Sequence, residues 1–182
     1  MNEADAIVRE MDAVLGSLRD QEIDLFVQSI LAAKRVFVVG EGRTGLMMKS
    51  FAMRLMHMGF CVFVAGETIT PAMRAGDLLI AGSGSGSTQS VLHTARTAAT
   101  LGAHVIAATA HPESHLGGLA ETAVHIAAAT KGRLEGETVS AQPLGSLFDQ
   151  CLHVVLDAIC LRLVSMLHEK PENLLERHTN IE

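Results

Sequence analysis

The sequence predicts an α/β fold: a three-layer α-β-α sandwich built on a five-stranded parallel sheet. Three observations carry that expectation. Short apolar, β-rich runs alternate with segments of helical period from residue 34 onward. The first and third of these runs end in glycine-rich turns, GEGRTG at 40–45 and SGSGST at 83–88, and each turn leads into a helical pattern. Two of the helical segments stop at Gly59 and Gly102, where a left-handed residue ends a helix before the next strand.

Two amphipathic helices open the chain. Ala4, Ile7, Val8, Met11, Val14 and Leu15 fall on one stripe, and Ile23, Phe26, Val27, Ile30 and Leu31 on another. Strands are expected at Val36 to Val39, Cys61 to Val64, Leu78 to Ala81, Val105 to Thr109 and Ala123 to Ala127. Helices are expected at about 44–58, 88–101 and 145–168. A chain of 182 residues is long enough for one well-packed domain and short for two. The expected division is residues 1–33 as N-terminal helices, 34–168 as the α/β core and 169–182 as a charged tail.

Hydrophobic residues make up 48% and charged residues 19%, which supports a large core and argues against disorder. Fourteen Lys and Arg against 20 Asp and Glu leave a net charge of −6, which argues against a nucleic-acid surface. The N-terminus MNEADAIVREMD has neither the basic region nor the apolar run of a signal peptide. The apolar stretch from Leu144 to Leu167 carries Asp149, Asp157 and Arg162, which is costly for a membrane helix. A cytoplasmic protein without a membrane partner is expected. Cys61, Cys151 and Cys160 form no C-x-x-C pair and read as buried free thiols.

Two helices are apolar beyond the needs of one buried face. LMMKSFAMRLMHM at 46–58 holds five of the nine methionines, and the helix from Gly145 is apolar almost all round. Packing against the sheet on one side and a second copy of the chain on the other accounts for this, with a tetramer favoured over a dimer. Burial within a single chain is the alternative.

A parallel sheet binds its ligand at the carboxyl ends of its strands, where both glycine-rich loops lie. GEGRTG matches the G-x-G-x-x-G of dinucleotide-binding folds, and Glu67 follows about twenty residues on, near the spacing of a ribose-binding acid. The second loop points elsewhere. Ser83, Ser85, Ser87 and Thr88 offer hydroxyls, Gly84 and Gly86 let an anion approach the backbone, and the next helix adds aligned N–H groups. No lysine follows, so this is not the nucleotide P-loop. A small phosphate ester is the expected ligand. His111 and His115 stand four apart, but Pro112 argues against a helical metal pair, and no metal or other cofactor is expected.

GEGRTG, SGSGST, QPLGSLFDQ and the closing RHTNIE, with GETITPAM and FAMRLMHMGF between them, together resemble the sugar isomerase (SIS) domain family. The likeness covers nearly the whole chain, and within that superfamily it is strongest to the 6-phospho-3-hexuloisomerases. The resemblance implies a flavodoxin-like sheet and an enzyme that interconverts D-arabino-3-hexulose 6-phosphate and D-fructose 6-phosphate through an enediol. The family serves the ribulose monophosphate pathway of formaldehyde fixation and uses no cofactor.

The resemblance also implies that the phosphate is held by Ser83, Ser85 and Thr88, helped by Thr44 after Gly42 and Arg43. It places the base at Asp149 of QPLGSLFDQ. Three positions depart from the family pattern: Thr44 stands where serine is commoner, Ser87 replaces a glutamate, and Asp149 is one methylene shorter than the family's glutamate. Glu67 and Glu182 are the next candidates for the base. His178 of the tail is a secondary catalytic candidate, able to reach a neighbouring site in an oligomer. SIS domains also serve as non-catalytic sugar-phosphate-binding regulatory modules, and that is the alternative function.

Overall fold

The computed structural model describes residues 2–134 and 136–181. Two helices, α1 (Glu3–Leu15) and α2 (Asp20–Ala32), precede β1 (Val36–Val39), α3 (Gly42–His57), β2 (Val62–Val64) and β3 (Leu78–Gly82). The chain continues through α4 (Gln89–Thr100), β4 (His104–Thr109), α5 (His115–Leu119), β5 (Thr122–His125), α6 (Ser146–Leu167) and α7 (Pro171–Glu176). The strands expected from sequence all form, with ends displaced by two residues or fewer. Gly59 and Gly102 do end their helices in the left-handed region, at φ +87° and +78°.

All strand pairs are parallel, in the order β2-β1-β3-β4-β5. The chain leaves β1 towards one edge and returns to build β3, β4 and β5 on the other side. Strand order therefore reverses between β1 and β3, and ligands of open parallel sheets bind in the crevice at such a point. Both glycine-rich loops leave from these two strands.

Residues of the three inner strands, β1, β3 and β4, are buried on both faces, which is why they read as continuous apolar runs. Val36, Val38, Leu78, Ile80, Ile106 and Val124 pack under α1, α2, α3 and α6. Phe37, Val39, Leu79, Val105 and Ala107 pack against α4 and α5. The second layer is thinner, because the connection from β2 to β3 contains no helix; Met73 of that connection packs against this cluster instead. The Phe37 and Phe63 rings lie 5.2 Å apart.

Two helices were not foreseen. α5 is only five residues and contains Gly117 and Gly118, too short and too glycine-rich to show a period. α7 begins with Pro171 at its first turn, a start signal hidden inside a segment that reads as charged tail. Cys61 is exposed, contrary to the expectation of three buried thiols; Cys151 and Cys160 are buried. Burial pushes these two thiols up to about 11 and about 12.

α6 is by length and composition apolar enough to cross a membrane. Here it packs beneath α1, α2 and α3, and its Arg162 reaches Asp20 and Asp24 of α2. Leu147, Phe148, Cys151, Leu152, Val155, Leu156, Ile159 and Leu163 lie in the core, which accounts for its greasy inner face.

Candidate active site

The turn after β1 is shaped by close backbone approach. Gly42 has φ +57°, a conformation that glycine adopts without strain. A Cβ on Gly45 would stand 2.6 Å from the Gly40 carbonyl oxygen, so only glycine lets α3 begin this near the end of β1. The G-x-G-x-x-G spacing is thus explained by helix-to-strand packing. Its consequence is that Arg43 and Thr44, in the first turn of α3, are presented to the crevice.

The loop after β3 divides its hydroxyls. Gly84, Ser85 and Thr88 line a cleft of about 470 Å³ together with Gly42, Arg43 and Thr44. Ser83, Gly86 and Ser87 do not line it. Ser83 is buried, and its Oγ shares a hydrogen bond with Thr88 Oγ1 at 3.0 Å. Gly86 turns at φ +59°, with no room for a side chain against Ser114. Ser87 is exposed and donates from its hydroxyl to Ser85 Oγ at 3.0 Å. These three hold the loop's shape, while Ser85 and Thr88 face the cleft.

The third wall is the start of α6. Asp149 in its first turn is buried, yet it is on the cleft surface. The Thr44 hydroxyl donates to Asp149 Oδ1 at 2.6 Å, and Arg43 Nε stands 3.7 Å from Oδ2. Arg43 Nη1 donates to Ser146 Oγ at 2.8 Å. A contact between residues 105 positions apart therefore ties the GEGRTG loop to the QPLGSLFD segment. Burial pushes the Asp149 carboxyl up from the ordinary carboxylate range, against the pull of the Thr44 hydroxyl and the Arg43 guanidinium. A partly desolvated carboxylate with a raised pKa and one lightly engaged oxygen is suited to accepting a proton.

The other acids and the tail histidine lie elsewhere. Glu67 follows β2 and pairs with Lys49 Nζ at 2.6 Å, both side chains about half exposed, and it does not line the cleft. His178 stacks on His57, ring centroids 5.0 Å apart, at the C-terminal end of α3. Sixteen residues of helix separate that end from the loop after β1, about 24 Å at 1.5 Å per residue. Within one chain His178 is therefore remote from Asp149. Burial, with His178 and Arg54 close by, holds the His57 imidazole below its ordinary pKa. Glu182 lies outside the described residues.

The sequence reading missed Thr130, Lys131, Pro143, Leu144, Ser146 and Phe148, which also line the cleft. Ser146 carried a signal, since it stands one helical turn before Asp149 and shares its face. Thr130 and Lys131 carried none, because they sit in the long connection from β5 to α6. That connection is pinned from beneath by two carboxylates. Glu137 accepts from Thr130 N at 2.8 Å and from Thr130 Oγ1 at 2.5 Å. Glu10 of α1 accepts from Ser140 Oγ at 2.6 Å and Ala141 N at 2.8 Å. Among the described residues no group of His, Cys, Asp and Glu is arranged to hold a metal ion.

Comparison with known proteins places this geometry in a family. The model of the SIS domain matches residues 29–154. A 3-hexulose-6-phosphate isomerase of Bacillus subtilis is 40% identical over 176 residues, covering 97% of this chain and 95% of the relative. A 3-hexulose-6-phosphate isomerase of Mycobacterium gastri is 45% identical over 162 residues, covering 89% of this chain and 81% of the relative. A crystal structure from Methanococcus jannaschii, for which a 3-hexulose-6-phosphate isomerase function was inferred, superposes with a TM-score of 0.86. Its identity is 28%, and the match covers 100% of both chains.

Proposed function

We propose that this chain, which belongs to the SIS domain family, is an isomerase that interconverts D-arabino-3-hexulose 6-phosphate and D-fructose 6-phosphate. The observation that carries the reading is Asp149. It is a buried carboxylate with one oxygen on the Thr44 hydroxyl, and it opens into a cleft whose opposite wall is a hydroxyl-rich loop at a helix N-terminus. Relatives named for this activity match nearly the whole chain.

Moving the ketone from C3 to C2 requires loss of a proton from C2, an enediol, and return of a proton to C3. Asp149 takes the C2 proton and delivers one to C3, while Thr44 fixes the carboxylate's orientation. The charge that develops lies on the enediolate oxygen, where Arg43 is the donor. Ser85 and Thr88, with the N–H groups that open α4, hold the phosphate. A second polar group moves the proton between the two oxygens, and the Ser146 hydroxyl is placed beside Arg43 for it. The 3-keto substrate stays open, because a five-membered ring would need the O6 that carries the phosphate. Ring opening therefore burdens only the reverse direction.

The reaction would consume the product of formaldehyde fixation on a pentulose phosphate, in the cytoplasm and without a cofactor. Incubation of purified protein with 3-hexulose 6-phosphate tests it: fructose 6-phosphate should form catalytically. Binding without turnover would support the regulatory-module reading instead.

The active form is a homo-oligomer, with a tetramer favoured. Leu46, Met53 and Met56 on α3 and Val154 and Leu161 on α6 are exposed, Leu161 to 73%, and form apolar stripes on neighbouring helices. Sedimentation at micromolar concentration should show no monomer; a stable monomer would mean that these stripes have another use.

A further inference from the structure

The phosphate-facing loop contains no cation, and the arginine of the cleft is already engaged with Asp149 and Ser146. Hydroxyls and helix N–H groups are neutral donors, and they leave a dianionic ester largely uncompensated in a chain of net charge −6. Lys131 is the other cationic residue on the cleft wall. We propose that Lys131 supplies the positive charge that neutralises the substrate's phosphate, a role that rests on the sugar-phosphate reading above.

Two contacts place it there. The methyl of the preceding Thr130 lies 3.4 Å from where a Cβ on Gly84 would stand, so this segment runs alongside the phosphate-facing loop. The Lys131 backbone nitrogen lies 3.5 Å from the corresponding position on Gly145, the residue that opens α6. Lys131 is thus set between the hydroxyl loop and the turn that carries Ser146 and Asp149. Its own side chain is exposed and has no ion-pair partner among the described residues.

The backbone beneath it is held tightly. Thr130 is buried and gives both its N–H and its hydroxyl to Glu137. The Glu137 side chain is 5% exposed and also meets His111 Nε2 at 2.7 Å. That clamp fixes the base of Lys131 while leaving its four-carbon stem free to follow the phosphate. A lysine suits this task as a mobile point charge, where the planar arginine is better suited to the fixed contacts with Ser146 and Asp149.

The test compares wild type with Lys131→Met and Lys131→Arg. Lys131→Met should raise KM for the hexulose phosphate by roughly 10-fold and weaken competitive inhibition by inorganic phosphate to a similar degree, leaving kcat within about threefold. Its KM should also depend less on salt than that of wild type. Lys131→Arg should recover most of the loss. Unchanged KM and phosphate inhibition in Lys131→Met would overturn the proposal, as would a loss confined to kcat, which would move the lysine to the enediolate. Thermal stabilisation by inorganic phosphate is measured alongside. If wild type shows no turnover, the isomerase reading fails, and loss or retention of this stabilisation in Lys131→Met still decides the lysine's role.

Discussion

At the N-terminal ends of the strands Asp77 is 5% exposed, and at their C-terminal ends Asp149 is 7% exposed, each beside an arginine. Their surroundings differ in how many donors they meet. Arg35, just before β1, grips Asp77 with two prongs, Nε at 2.9 Å and Nη2 at 2.5 Å, and the Arg74 N–H adds a third donor at 2.6 Å. Asp149 has one close donor, and its arginine stands off at 3.7 Å. Burial alone would raise both carboxyls. At Asp77 the Arg35 fork and the Arg74 N–H outweigh it and hold the group below the ordinary carboxylate range; at Asp149 burial wins. A saturated carboxylate fastens β1 to β3, whereas an unsaturated one keeps a lone pair for a substrate proton.

Exchanging each acid for its amide should break that contrast most sharply at Asp149. Asp149→Asn keeps the shape and can still accept from Thr44, but it cannot hold a proton taken from carbon. Its kcat should fall by about 10³-fold or more, with phosphate inhibition nearly intact. Asp149→Glu should retain activity. Normal turnover by the amide would move the proton to another group, and His178 and Glu182, reaching in from a neighbouring copy of the chain, would be tested next.

The matching change at the other end should act on folding. Asp77→Asn leaves Arg35 without its carboxylate and should lower Tm by roughly 5 °C while kcat holds. The pH dependence supplies the sign. Because the folded pKa of Asp77 is depressed, its contribution is fully present above the unfolded value, about 3.9, and is lost as pH falls through the folded one. The Tm gap between wild type and variant should therefore close below about pH 4. A gap that persists at lower pH would mean the loss comes from packing.

The smallest effects should come from the loop between these extremes. Ser85→Ala and Thr88→Ala each remove one hydroxyl facing a charged ligand, a loss of about 1.5 kcal/mol in substrate binding. KM should rise while kcat changes little. Thr88 also partners Ser83 at 3.0 Å, so Thr88→Ala should loosen the loop further and show the larger rise of the two. Equal and unchanged KM values would remove the hydroxyls from the phosphate site.

The local signals were strong where one segment decides its own structure. The short apolar, β-rich runs marked the strands, Gly59 and Gly102 marked helix ends, and the Ser/Gly string marked a loop between a buried strand and a helix. Those features follow from steric and hydrogen-bonding rules that act within a few residues. The apolar excess of α6 could be read from composition, but that it packs beneath α1, α2 and α3 could not.

Other decisions belong to the assembled sheet. Strand order alone puts the turns after β1 and β3 side by side, and it carries Asp149 onto Thr44 across 105 residues. Glu67 and His178 stood behind Asp149 as further candidates in the chain, but an ion pair with Lys49 and the length of α3 set them apart from the cleft. Lys131 had no motif at all, because its place depends on a buried Glu137 and on a helix that starts fifteen residues later. The sequence by itself determined which segments become strands, helices and anion-friendly loops. Which side chains meet was decided by tertiary structure, because proximity between distant residues comes from packing the layers together.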